Sequence, residues 1–215
     1  MTYLQIVNNV LRRMREDEVD TVSQNTYSKM VGDFVNDAFR IVADAWDWSG
    51  FRTTLTIETI EDVFNYVLTG SANNVKELSF LNDTSNWFME YKPQVWMDNV
   101  FLNQDPVKNS PQYFTYNGVD DNGDTQIDIY PIPNGVYTLR YNCILRPTEL
   151  TTDAQKVMIP SAPVIHLAIA LLARERGETG GTATSEYFGL ADKYLSDAIA
   201  HDAHKHPEEL TWNYI

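Results

Sequence analysis

The spacing of apolar residues changes twice along this chain, and the change limits what it can fold into more than any single motif does. Residues 2–48 and 160–206 place apolar side chains three and four positions apart, whereas the stretch between them alternates with a period of two and is broken by turn residues. Helices at both ends, separated by a β-rich middle, bury their stripes most simply against one another. The pattern predicts an α+β chain: a helical bundle formed by the N- and C-terminal helices (1–50 and 148–206), an inserted antiparallel β subdomain (51–147), and an extended C-terminal arm (207–215). A length of 215 residues is enough to bury a real core in this arrangement.

Local signals place the elements. Thr2 can cap a first helix with Leu4, Val7, Leu11 and Met14 on one face and Arg12, Arg13 and Arg15 on the other. A second helix over 26–46 carries Met30, Val31, Phe34, Val35, Ala38, Ile41, Val42 and Ala45, a stripe wide enough for two neighbours. Breakers at Asp47–Gly50 precede a strand over 51–58. Further strands are predicted over 64–69, 75–81, 86–91, 113–117, 125–130 and 136–146, joined by Asn-Gly and Pro-Asn-Gly turns, as in a small sandwich or barrel. A third helix starts near Ser161, whose hydroxyl can cap it before Pro163, and Val164–Ala173 is apolar nearly all round. Gly177, Gly180 and Gly181 end that helix. A fourth, over 182–203, presents Tyr187, Leu190, Ala191, Tyr194, Leu195, Ala198 and Ile199, and Pro207 stops it.

Charge narrows the functional classes. Sixteen basic against thirty acidic side chains give −14, distributed as −3 over residues 1–50, −6 over 51–147 and −5 over 148–215. Such a surface repels nucleic-acid phosphates and anionic membranes, and it contains no basic patch. The polar residues among Met1–Arg15 argue against a signal peptide. Pro163–Ala173 falls well short of the roughly 20 residues that span a bilayer. A single cysteine, Cys143, excludes an internal disulfide framework and shares a strand face with Leu139, Tyr141 and Leu145.

Catalytic and metal chemistry find little support. Asp120, Asn122, Asp124 and Asp128 have the early spacing of a calcium loop, but Thr125 stands where Gly is needed and Pro131 where a bidentate Glu is needed, so a hairpin at Asn122-Gly123 is the better reading. His201, His204 and His206 cluster near a helix C-terminus, where the dipole accounts for them without a metal. His166 reads as a core histidine. No Gly-x-Ser-x-Gly turn or phosphate loop is present, and the expectation is a non-enzymatic protein with no metal and no cofactor. The densest aromatic cluster, Trp87, Phe88, Tyr91 and Trp96, suits a core, a subunit interface or a glycan platform.

The opening Thr2-Tyr3-Leu4-Gln5-Ile6-Val7-Asn8-Asn9-Val10-Leu11-Arg12-Arg13, the join from Phe34-Val35-Asn36-Asp37-Ala38-Phe39 to Trp46-Asp47-Trp48, and the closing helix pair with its tail resemble the head-to-tail adaptor (connector) proteins of short-tailed phages, the group that includes tail tubular protein A. The resemblance implies a structural virion protein of the neck, made in the host cytoplasm, forming a ring below the portal that continues the DNA channel and docks the tail. The implied partners are the portal protein, adjacent adaptor subunits in an expected dodecamer, and tail nozzle or tail fibre components. DNA would pass without sequence-specific binding, and no membrane is involved. An acidic channel wall lets DNA slide where a basic one would hold it.

Beyond Pro207, Leu210, Trp212 and Tyr214 alternate with polar residues ahead of Ile215, the period of a strand with one apolar face. These four residues are the expected partner-binding arm, by strand addition to a neighbouring subunit or the portal. The competing reading is a carbohydrate-binding β module on a helical base, with Trp87–Trp96 as its platform.

Overall fold

A computed structural model describes residues 1–72, 74–103, 105–147, 149–176 and 182–206. Among these the chain is mixed α+β, with helices α1 (Tyr3–Arg13), α2 (Thr26–Asp44), α3 (Gln94–Asn103), α4 (Ser161–Glu175) and α5 (Thr182–Ala203). The strands are β1 (Arg52–Glu58), β2 (Asn65–Val67), β3 (Val75–Asn82), β4 (Trp87–Phe88), β5 (Glu90–Tyr91), β6 (Tyr113–Val119), β7 (Thr125–Tyr130) and β8 (Thr138–Leu145). Two compact units result, one from Met1–Phe51 with Pro147–Ile215, the other from Arg52–Arg146.

In the first unit, α4 packs against α1, α2 and α5. Thr2 caps α1 through a reciprocal box: its hydroxyl accepts from the Gln5 N–H at 3.3 Å and its own N–H donates to Gln5 Oε1 at 3.0 Å. The buried face of α1 is Tyr3, Ile6, Val7, Val10 and Leu11. This differs from the predicted stripe, since Leu4 and Met14 are only half-buried; contact with both α2 and α4 rotates the face toward Ile6 and Val10. In α2, Val31, Val35, Ala38, Phe39 and Val42 are buried, whereas Ile41, predicted to face the core, is 51% exposed. Gly32 is required by close approach, because a Cβ there would lie 2.6 Å from Tyr3 Oη and 2.7 Å from Val22 Cγ1.

Two asparagines of these helices bind loop backbone as a neighbouring strand would. Asn8 Nδ2 donates to the Val19 carbonyl at 2.9 Å while its Oδ1 accepts from the Val19 N–H at 3.0 Å. Asn36 does the same for Leu150, at 3.1 and 2.8 Å. Burial, with the nearby carboxylates of Asp33, Asp153 and Glu149, pushes the Tyr3 phenol up to about 12.

Ser161 does not cap α4: the cap position is Pro160, no side chain bonds the first turn, and Ser161 is already helical. Val164, Ile165 and Ala168–Ala173 are buried, as an all-round apolar helix requires, although Leu167 is half-exposed. On α5 the buried seam is Ala191, Ala198 and Asp202, while Tyr187, Leu190 and Tyr194 stay 38–39% exposed. Small residues make the seam because they let the helix approach closely. Gly177–Gly181 lie outside the described residues.

His166 is half-buried rather than a core histidine. Its Nε2 accepts from Arg13 Nη1 at 2.9 Å, and its ring stacks on Tyr194 at 4.2 Å and 11°. Burial and the Arg13 guanidinium hold its pKa below the ordinary value, favouring neutral imidazole. The unfolded chain therefore takes up this proton first, so the stabilisation is full above about pH 6.5 and shrinks on acidification below it. His166→Gln is expected to flatten the fall in thermal midpoint between about pH 6.5 and 5; an unchanged slope would rule this out.

The second unit stacks a sheet ordered β1-β8-β3-β4 and a sheet ordered β2-β7-β6-β5 around Leu68, Phe80, Phe114, Ile127, Ile129, Leu139, Tyr141 and Cys143. Cys143 lies on the predicted face, and burial pushes its thiol up to about 11. The sheets are not wholly antiparallel, because β5 pairs parallel with β6. The strand predicted over 86–91 is two short strands, its halves joining opposite sheets. The Asn117-Gly118 pair makes no turn but a bulge within β6, with Gly118 at φ 106°. The α3 helix falls where the sequence predicted none, burying Met97 and Val100 beside Tyr130.

Candidate interaction surfaces

Asp120, Asp124 and Asp128 of the calcium-like segment are each engaged as structural acceptors. Asp120 Oδ1 takes the N–H groups of Asn122 and Asp124 at 2.9 and 2.8 Å, closing the β6–β7 hairpin around Gly123 at φ 84°. Asp124 holds the backbone of Gly70 and Ala72 at 2.9 and 2.8 Å, which lowers its pKa. Asp128 accepts from Asn65 Nδ2 at 2.6 Å. Among the described residues no three histidine, cysteine or acidic side chains gather as a metal site.

Trp87, Phe88, Tyr91 and Trp96 have separate surroundings. Trp96 stands edge-on to Tyr113 and Tyr130 at 5.1 and 5.9 Å, in the small core under α3. The Trp87 indole donates to the Pro111 carbonyl at 2.9 Å. Tyr91 meets Phe114 and Tyr116, while Phe88 is 71% exposed. Among the described residues no ring contact joins two of the four, so they do not stack as one platform. They belong to β4, β5 and α3, which face different neighbours. The arm residues Leu210, Trp212, Tyr214 and Ile215 lie outside the described residues.

A polar chain crosses the β unit: Tyr116 Oη donates to Glu77 Oε2 at 2.6 Å and lies 2.7 Å from Tyr141 Oη. Burial first, then the Glu77 and Tyr141 hydrogen bonds, raise the Tyr116 phenol far above its ordinary value. Both phenols therefore stay protonated and act as hydrogen-bonding groups, not as bases.

One exposed apolar feature was not visible in the sequence. Three stretches meet at one end of the β unit: residues 58–64, residues 101–103 with 105–108, and residues 131–137. The Asp62 N–H donates to the Pro133 carbonyl at 2.9 Å, Thr59 Oγ1 to the Gly135 carbonyl at 3.0 Å, and the Ile132 N–H to the Val107 carbonyl at 3.0 Å. Lys108 Nζ reaches Asp62 Oδ1 at 2.5 Å, and the Phe64 and Phe101 rings lie 4.8 Å apart. The surface so formed exposes Ile60 (63%), Val63, Phe64, Leu102 (82%), Val107 and Val136 (69%). No local period marks these residues, because segments distant in sequence bring them together.

The family model for SU10 adaptor protein matches residues 1–210. This chain belongs to the SU10 adaptor protein family. It is therefore a phage adaptor and a component of the virion. No curated protein matches the chain. Among the described residues of this adaptor, no helix is long and apolar enough to cross a membrane.

Proposed function

We propose that this adaptor joins head to tail in a short-tailed phage, in the manner of tail tubular protein A, as a ring beneath the portal that continues the DNA channel and docks the tail. The observation that carries this reading is the family match over residues 1–210, together with a chain whose two ends contribute to one helical unit and whose middle forms another. On this reading the helical unit is a bundle that builds the ring, expected to be dodecameric, and the β unit is an insertion turned toward other tail components, the nozzle or fibres. The net charge of −14 supports a wall along which DNA slides. The role is non-enzymatic, in keeping with Asp120 and Asp124 committed to the backbone of turns. Residues 207–215 serve as the arm for the portal or a neighbouring copy.

Like-charged copies repel, so the free protein should remain monomeric until the portal collects it. Light scattering of the purified chain, alone and with cognate portal rings, measures this. A monomer that becomes portal-bound is the expected result. A stable ring in isolation would contradict the monomer, and no binding to the portal would refute the function.

A further inference from the structure

We infer that the apolar end of the β unit is the docking site for a different virion protein, one presenting an apolar patch flanked by lysine or arginine, and that it is not a contact between copies of this chain. The inference rests on the adaptor reading and adds the chemistry of one partner. Its first support is position. β1 runs away from Arg52, where the chain enters the unit, and β8 runs back toward Arg146, where it leaves. Residues 59–64 and 131–137 thus lie at the opposite ends of these strands, about 23 Å from entry and exit for the seven residues of β1 at ~3.3 Å each.

The second support is preorganisation. The backbone pairs, the Thr59–Gly135 bond and the Lys108–Asp62 contact tie the three segments together without any partner. Binding therefore need not order these loops, which removes much of the entropy that association otherwise loses. Ile60, Leu102 and Val136, the most exposed of the six, can go from water into a partner surface at once.

Charge selects the occupant. Within the three segments, Glu58, Glu61, Asp62 and Asp105 stand against Lys108 alone. Two such surfaces meeting face to face would bring like charges together, and juxtaposed like charges suppress a wrong partner. A second copy is also a poor source of a cationic ring, since its sixteen basic residues are outnumbered by acidic ones in each of the stretches 1–50, 51–147 and 148–215. Nucleic acid and anionic lipid are repelled by the same rim. A protein with basic residues around an apolar patch satisfies both the apolar face and the acidic rim.

The test uses virions assembled with full-length chain carrying Val136→Cys, labelled there with a photo-crosslinking maleimide. Cys143 is fully buried and does not compete for the reagent, and Asp121→Cys on the exposed hairpin serves as the control position. The expected result is a cross-link from position 136 to one virion protein other than the adaptor, within a segment that combines apolar and basic residues. In a Glu61→Lys, Asp105→Lys background its yield should fall at least tenfold while the amount of adaptor in the particle is unchanged. Cross-links between adaptor copies, equal yields from both positions, or no cross-link in particles containing the adaptor would overturn the inference while leaving the adaptor reading intact. Absence of the wild-type chain from particles would overturn both.

Discussion

Phe39→Ala is expected to destabilise the helical unit by about 3–5 kcal/mol, the range for a buried phenylalanine, whereas Ile41→Ala two positions away should change stability by no more than about 0.5 kcal/mol. Phe39 is fully buried and meets Phe51 edge-to-face at 6.3 Å, so truncation removes both apolar burial and an aromatic pair and leaves a cavity. Ile41 points into water. Denaturant midpoints of the two variants, measured on the full chain with wild-type slopes, compare the faces of α2 directly. Equal losses would mean that the helix is rotated from the orientation described.

Asp202→Ala is expected to lower stability by about 2–3 kcal/mol, as for hydrogen bonds to a charged group. Asp202 is 5% exposed, and it accepts from the Ser49 N–H at 2.8 Å, Ser49 Oγ at 2.6 Å and Lys205 Nζ at 2.9 Å. Burial alone would raise its pKa, but the Ser49 bonds and the Lys205 ammonium outweigh it and hold the carboxyl below its ordinary value. A lowered folded pKa means that the carboxylate stabilises above its unfolded value near 3.8 and stops doing so as pH falls through the folded one. Asp202→Asn should therefore weaken the protein at neutral pH and flatten its acid limb below about pH 4. A variant as stable as wild type at pH 7 would show that the carboxylate is not an anchor between α5 and the turn after α2.

What the sequence revealed depended on how local the cause was. The Thr2 cap on α1, the bounds of α5 and the whole of β7 rest on neighbours within four residues, and they appear where the pattern puts them. The face of α2 did not, because Phe39 rather than Ile41 enters the core only once two partner helices are in place. The α3 helix was hidden because its apolar residues surround it: Met97 and Val100 are buried while Val95 and Leu102 are exposed, so no stripe emerges. The one available signal was Pro93 directly before Gln94, a common opening for a helix. The parallel β5–β6 pair and the apolar end of the β unit join distant segments, which no short window of sequence can show. That the chain is a phage adaptor was legible, and the structure adds reasons for two residues of its helical stretches: Asn8 and Asn36 each hold a loop by a paired amide contact.

The split of the helical unit between the two ends of the chain also sets an order in time. Residues 52–146 are contiguous and can close their sheets as soon as they leave the ribosome. α1 and α2 emerge first but must wait for α4, the helix that both pack against. At roughly 5–20 residues per second that wait lasts on the order of 5–25 seconds, with the faces around Val10 and Phe39 uncovered. The nascent adaptor is most vulnerable to aggregation in this interval, and a chaperone that holds the first 51 residues would act before the last helices are made.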